Sequence, residues 1–169
     1  MYTKMKRFLL TTLLLLAAVG SASAASLSNY LENKLIDALV RNTSYTMPTT
    51  VYVGLATTSG SDAACGTEVS GGSYARVSVT SSTSNWAGTQ SAGSTSASSG
   101  TGGTTSNNNA ITFPSPTGDW GTVVEFCVFD ASTSGNLLWR AALTTNKTIN
   151  NGDAAPSFAA GALTLQIDN

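Results

Sequence analysis

Histidine is absent from the 169-residue sequence. Histidine is the usual general base near neutral pH, the partner of serine and cysteine nucleophiles, and the commonest zinc ligand. The sequence also lacks a P-loop, a G-x-G-x-x-G turn after a strand and a G-x-S-x-G nucleophile elbow. These absences predict a non-enzymatic protein without a cofactor or a resident metal ion.

Carboxylates are the remaining residues that could carry out hydrolysis, because a pair of them suffices for glycoside cleavage. The candidates are Asp119, Glu125, Asp130 and Asp153. Asp119 and Asp153 lie in turn sequences, and the other two lie on and after an apolar strand, so turn and edge roles account for all four. The turn Asn150-Asn151-Gly152-Asp153 offers oxygen ligands beside a glycine but lacks a full calcium-loop pattern, which favours a plain turn.

The N-terminus has the pattern of a secretory signal. Three basic residues within the first seven positions precede an apolar run of 12 residues from Phe8 to Val19, and Ala22-Ser23-Ala24 matches the A-x-A cleavage pattern. The run is shorter than the roughly 20 residues of a membrane-spanning helix. We predict that Met1–Ala24 is removed after Ala24, leaving no stable membrane span. An uncleaved anchor or a buried N-terminal helix is the alternative.

Charge is scarce: only 10% of residues are charged. All nine acidic residues but only five of the eight basic ones follow position 24, so the cleaved chain would carry about 5 − 9 = −4. The sequence has no basic cluster, and this predicts no binding to nucleic acid or to anionic lipid.

Only two cysteines occur, Cys65 and Cys127. In an oxidising compartment they can form one disulfide across a long loop. Cys127 lies inside an apolar run, so a buried free thiol is the alternative. The pair is a candidate disulfide whose formation depends on whether the chain is exported.

A helical pattern covers residues 27–41. Leu27, Leu31, Leu35, Ala38 and Leu39 recur at three- and four-residue spacing and predict one apolar stripe. Ser28 is the predicted N-cap of this helix. The stripe either packs on the sheet or serves for self-association between copies.

The pattern of the rest of the chain predicts short strands separated by glycine- and asparagine-containing turns. Val123–Phe129 is apolar on both faces and is the predicted central strand. In the last strand, Leu163, Leu165 and Ile167 are predicted to face inward. The predicted strands are Thr50–Thr57, Tyr74–Thr80, Ala110–Phe113, Val123–Phe129, Leu137–Leu143, Lys147–Ile149 and Ala162–Ile167. The predicted fold is mostly β: one domain over residues 25–169, an antiparallel β-sandwich of about seven strands preceded by one α-helix.

Residues 81–109 interrupt the series of predicted strands, because they consist mostly of serine, threonine, glycine, alanine and asparagine. Such a composition buries little apolar surface, which predicts a flexible, solvated loop. Its one large residue, Trp86, is a candidate surface contact for a receptor or a glycan. Trp120 and Trp139 are predicted to be core residues instead.

After the leader, six segments form a recognisable series: Ser26–Leu39, Pro48–Leu55, Glu68–Arg76, Ile111–Pro114, Asp119–Val123 and the stretch from Asn151 to Leu165. The segment Glu68–Arg76, with sequence EVSGGSYAR, is the most recognisable part. Through these segments, in the same order along the chain, most of residues 26–168 resembles small bacteriophage tail fibre or minor tail proteins.

The resemblance implies a structural subunit of a virion, associating with itself or with other virion or filament subunits, and it supplies no catalytic residue. A host-surface receptor or glycan is a further expected partner. Two features depart from the pattern: the 25 residues ahead of Ser26, and the length of segment 81–109. Phage tails assemble in the cytoplasm, so a working signal would instead make this chain an exported, secreted or cell-surface relative that binds a ligand or forms filaments.

Overall fold

The computed structural model describes residues 25–88, 91–99 and 103–167. The predicted leader Met1–Ala24 lies outside these residues. The described residues form one helix, α1 (Asn29–Val40), and nine strands. The strands are β1 (Ser26–Leu27), β2 (Thr50–Ala56), β3 (Val77–Thr80), β4 (Thr105–Ser106), β5 (Ile111–Thr112), β6 (Gly121–Phe129), β7 (Leu137–Ile149), β8 (Ser157–Phe158) and β9 (Thr164–Leu165).

Five strands form the main sheet, in the order β1-β7-β6-β2-β3, and every pairing is antiparallel. The strand β6 lies at its centre, as its apolar sequence predicted. The two strands predicted at Leu137–Leu143 and Lys147–Ile149 are one strand, β7. Between the pairs Val123↔Lys147 and Glu125↔Ala142, four β7 residues lie opposite one β6 residue. This irregularity breaks the alternation of side chains, so the sequence pattern looks like two strands.

Two short ribbons cover one face of the main sheet. β4 pairs with β9, and β5 pairs with β8. Phe158 of β8 packs edge-on against Phe126 of β6, with ring centroids 5.7 Å apart, and Phe113 packs against Phe158. These rings belong to one apolar core shared by the sheet and the ribbons. The predicted class, mostly antiparallel β with one helix in a sandwich-like arrangement, is confirmed.

Three strands were not predicted: β1, β4 and β8. Each contains only two residues, which is too short to show an alternating pattern. The inward orientation predicted for the last strand is correct for Leu163 and Leu165 but wrong for Ile167, which is 59% exposed. The β9 pairing ends at Leu165, two residues before Ile167.

The helix α1 begins where its cap predicts. The Ser28 hydroxyl oxygen accepts the Leu31 N–H at 3.2 Å and donates to the Leu137 carbonyl at 2.5 Å, which ties the start of α1 to the start of β7. Leu31 is buried and Leu35 packs against the core. Leu39 is 78% exposed, so it does not share the packing of Leu31 and Leu35 against the core, and a role of the stripe in self-association stays a prediction. The helix contacts the sheet with its first half and projects beyond it with its second half.

The described part of segment 81–109 is held together by asparagine. Buried Asn107 donates to the Asn109 and Ala159 carbonyls and accepts the Leu163 N–H. Asn108 donates to the carbonyl of Thr83. Hydrogen bonds of side-chain amides stabilise this part of the segment, where apolar burial stabilises other parts of the fold. Composition alone does not predict these bonds. Flexibility of the whole loop stays a prediction. Among the described residues, no helix is both long and apolar enough to cross a membrane.

Candidate functional site

The candidate disulfide residues lie next to each other. Cys127 belongs to the central strand β6 and is fully buried, and Cys65 lies in the loop between β2 and β3. Their Cα atoms are 6.0 Å apart and their sulfur atoms are within bonding distance, as a disulfide requires. The geometry thus permits the predicted bond, which would fasten the loop to the sheet.

Glu125 lies beside this pair and has no exposed surface. One carboxylate oxygen accepts the N–H groups of Gly60 at 2.8 Å and Gly66 at 3.1 Å, and the other accepts the Arg140 Nε–H at 2.5 Å. Asp62 approaches the same guanidinium at 3.7 Å from a largely exposed position. The carboxylate therefore anchors the loop from Gly60 to Gly66. The edge role predicted for Glu125 is wrong, because it lies on the central strand.

This cluster offers little chemistry. One ligand atom each of Cys65, Glu125 and Cys127 lies within 4.8 Å of the others, a spacing that a metal ion would need. However, a metal would require two free thiolates, and here the sulfurs face each other at bonding distance. The Glu125 oxygens are already occupied by three donors, one of them cationic. The arrangement suits a structural clasp.

The other three candidate carboxylates serve turns, as predicted. Asp119 accepts the Asn151 N–H at 2.8 Å, and Asp153 accepts the Asn150 N–H at 2.7 Å. Asp130 accepts both the main-chain N–H and the side-chain amide of Asn136, each at 2.7 Å. In the candidate calcium turn, the Asp153 carboxylate therefore binds the main chain of the same turn, as expected for a plain turn.

The recognisable segment Glu68–Arg76 builds a second network, beside Gly54 of β2 and Phe129 of β6. The Arg76 guanidinium forms two bonds to the Glu68 carboxylate, at 2.8 and 2.7 Å, and lies 3.3 Å from the centre of the Phe129 ring. The Tyr74 hydroxyl donates to Glu68 at 2.9 Å and accepts the Leu55 N–H at 2.8 Å. The sequence pattern predicts no role for these residues, and their place in the resemblance is the signal that could have found them.

Burial raises the pKa of Tyr74 well above its ordinary value of 10.0, and the negative charge of Glu68 acts in the same direction. Gly54 leaves room for this network, since a Cβ atom there would lie 2.9 Å from the Glu68 carboxylate and 3.0 Å from the Tyr74 hydroxyl. The donors and acceptors satisfy each other, so the network supports the fold.

A surface cleft of about 470 Å³ opens beside this network. Its lining includes the hydroxyl-bearing residues Ser70, Ser132, Thr133 and Ser134, together with Glu68, Tyr74 and Arg76. Hydroxyls and a partly exposed carboxylate are groups that can hydrogen-bond a polar ligand.

All three tryptophans contact the core, including Trp86, which was predicted to be a surface contact. Trp120 is buried and donates its indole N–H to the Gly72 carbonyl, as predicted for a core residue. Trp139 packs against the core and donates to Gln166. Trp86 is also partly buried against the core and bridges to Asn107 through the main chain. Its contact with a receptor stays a prediction.

An apolar surface is exposed on the second half of α1. Ile36, Leu39 and Val40 are 56%, 78% and 75% exposed, and their i, i+3, i+4 spacing places them on one side of the helix. We call these three residues the α1 outer face. Most of their apolar area meets solvent, and grouped apolar exposure of this kind is typical of interaction surfaces.

Comparison with known proteins gives one result at the level of families. A family model described as Podophage GP4 fiber I protein gp80 matches residues 26–166. The matched range begins at β1 and ends one residue after β9, so it spans every element described above. No curated protein matches the chain.

Proposed function

Because the chain belongs to the family of the Podophage GP4 fiber I protein gp80, we propose that it is a fibre subunit of a phage tail, assembled with copies of itself or with other virion subunits. The family match carries this proposal, since it covers residues 26–166. The expectation of a phage tail fibre-like protein, drawn from segments such as Glu68–Arg76, agrees with it.

The chemistry of the described residues supports a structural role. Glu125 is buried and bonded to three donors, while Asp119, Asp130 and Asp153 bind neighbouring main-chain N–H groups. A general acid or base must instead reach a substrate. The candidate carboxylates thus act within the fold, and a non-enzymatic subunit remains our proposal.

Mass spectrometry of purified phage particles tests the fibre role. The expected result is the presence of peptides from residues 26–166 in particles that survive density-gradient purification, at a constant ratio to a major structural protein. The same measurement on a lysate fraction without particles is the control. Peptides confined to that fraction would contradict the proposal.

The same digest reads the N-terminus. Trypsin cuts after Arg7 and Lys34, so a retained leader yields the peptide Phe8–Lys34. Removal of the leader after Ala24 yields the peptide Ala25–Lys34. Trypsin alone cannot produce this peptide, because Ala25 follows an alanine and not a basic residue. The ratio of these two peptides tells whether the virion form keeps the leader.

We propose as a second candidate an exported surface or extracellular module that binds a ligand or forms filaments. Two observations favour it: the signal pattern of Met1–Ala24, and the disulfide geometry of Cys65 and Cys127, which suits an oxidising compartment. N-terminal sequencing of the protein from periplasmic and extracellular fractions tests it. A chain that starts at Met1 in every fraction would rule this candidate out.

A further inference from the structure

We propose that Cys65 and Cys127 form their disulfide in the already folded protein, and that Cys65 is the thiol at which the oxidant enters. The chain then folds with both thiols reduced, and a small-molecule disulfide oxidises the pair afterwards. The bond stabilises a fold that is already complete. This inference goes beyond the fibre role and does not rest on it, because it concerns only the central strand and the loop from Gly60 to Gly66.

A buried carboxylate holds the loop that carries Cys65. The Gly60 and Gly66 N–H groups donate to one oxygen of Glu125, at 2.8 and 3.1 Å. Gly66 directly follows Cys65, and Glu125 lies two residues before Cys127 on β6, so these bonds connect the neighbourhoods of the two thiols. Neither bond involves sulfur. We therefore expect the carboxylate to keep Cys65 beside the central strand in the reduced protein.

Main-chain hydrogen bonds fix the same loop independently. Ser61 and Ala64 exchange two N–H to carbonyl bonds, at 2.8 and 3.0 Å, which close a turn within the loop. The Asp62 carbonyl accepts the Asn29 N–H at 2.9 Å and connects this turn to the start of α1. None of these bonds requires joined cysteines. The shape of the loop is thus specified before oxidation.

Folding brings the two thiols together from positions 62 apart in the sequence. In the unfolded chain, closing a loop of this length has a large entropic cost. A disulfide across such a loop shifts the folding equilibrium by about 1,000-fold. Because the two equilibria are linked, folding favours formation of the bond by the same factor. The folded chain is therefore the state in which the bond forms most readily.

Different burial of the two cysteines decides which one reacts first. Cys127 has no exposed surface, whereas Cys65 is half-buried and lines two surface clefts. A thiol exchanges with a dissolved disulfide only if that disulfide can reach it. Cys65 therefore meets the oxidant first, and Cys127 reacts only with its neighbour in the fold.

The chemistry is two successive thiol–disulfide exchanges, written here for oxidised glutathione. The Cys65 thiolate attacks one glutathione sulfur, forms a mixed disulfide and releases the first glutathione thiolate. The Cys127 thiolate then attacks the Cys65 sulfur, forms the internal bond and releases the second. The two cysteine protons are balanced by protonation of the two released thiolates. The protein loses two electrons, and one oxidised glutathione becomes two reduced molecules.

Trapping with glutathione tests the entry thiol on the reduced, purified full-length chain. Oxidised glutathione is added, acid stops the reaction at intervals, and the intact mass identifies each species. We expect Cys127→Ala to accumulate a mixed disulfide at Cys65, and the matched variant Cys65→Ala to react at least about 100-fold more slowly, because the buried thiol needs local opening. Equal rates would overturn the assignment. If either variant fails to fold, peptide mapping of the transient adduct in the unchanged protein decides, and an adduct mainly on Cys127 would overturn it.

A redox titration tests whether folding precedes the bond. Circular dichroism of the reduced protein should show the same β-sheet signal as that of the oxidised protein, and a reduced chain that stays unfolded overturns the proposal. In mixtures of reduced and oxidised glutathione, the fraction of joined chains gives the effective concentration of the two thiols. This concentration should be about 1,000-fold higher in buffer than in urea that unfolds the chain. A ratio below about tenfold would contradict formation in the folded state.

These outcomes are separable from the fibre role. Both experiments use purified protein, so a failed trapping or titration leaves the presence of the chain in virions untouched. Absence of the chain from virions, in turn, changes neither the order of the two exchanges nor the effective concentration.

Discussion

Replacing Glu125 by alanine should lower the free energy of unfolding by about 4 kcal/mol. The change removes the acceptor of two main-chain N–H groups, Gly60 and Gly66, and removes the partner of the Arg140 guanidinium. An unsatisfied buried donor costs about 1–3 kcal/mol, and removing one partner of a buried ion pair costs about 3–5 kcal/mol. These terms overlap because they share one carboxylate, so their sum is an upper bound.

The chain supplies a matched control around the same cation. Asp62 lies 3.7 Å from Arg140 with a side chain that is 54% exposed, whereas Glu125 has none of its surface exposed. Asp62→Ala should cost less than about 1 kcal/mol, as exposed ion pairs do. Urea unfolding at neutral pH under non-reducing conditions measures both variants. The reasoning is wrong if Glu125→Ala costs no more than Asp62→Ala at an unchanged m-value.

Three further outcomes follow from individual side chains. Substituting both Cys65 and Cys127 by serine should lower the unfolding free energy by about 4 kcal/mol, the value for a loop of this length; peptide mapping without reductant should find the two joined, and free thiols in exported protein would contradict the bond. For Tyr74, whose pKa is raised by burial, stability should fall as pH rises above about 10, by up to about 1.4 kcal/mol per pH unit, because the unfolded phenol ionises first. The unfolding free energy of Tyr74→Phe should depend less on pH over that range. An equal pH dependence of the variant and the unchanged protein would refute the assignment. Asn107→Ala should cost about 3 kcal/mol in the same assay, because it removes the acceptor of the buried Leu163 N–H and two amide donations; a loss below about 0.5 kcal/mol would contradict its anchoring role.

Local patterns were enough to predict the centre of the fold. The apolar run Val123–Phe129 marks a strand covered on both faces, and it is the middle strand of the sheet. The Ser28 cap is a local side-chain contact with Leu31 and was predicted for that reason. Trp120, at the start of the central strand, was predicted to be buried on its type and position, and it is.

Long-range partners could not be predicted in the same way. Glu125 interrupts an apolar run. The Gly60 and Gly66 N–H groups that donate to its carboxylate are 65 and 59 residues away in sequence. Asn107 bonds to Ala159 and Leu163, 52 and 56 residues away. Periodicity finds the apolar residues of a helix but not what covers them, so Leu39 was assigned to the same stripe as Leu31, although Leu31 is buried and Leu39 is 78% exposed.

The position of Ala25 sets an order of events for any processing of the leader. Ala25 is buried, its N–H donates to the Thr164 carbonyl at 3.2 Å, and its carbonyl accepts the Gln166 N–H at 3.1 Å. A peptidase needs an accessible, extended segment on both sides of the bond that it cuts. If the leader is cleaved after Ala24, cleavage therefore has to precede the docking of β9, which follows the other described strands in the sequence. If the leader is processed, folding and processing would compete in time, and we expect a chain that folds first to keep its leader.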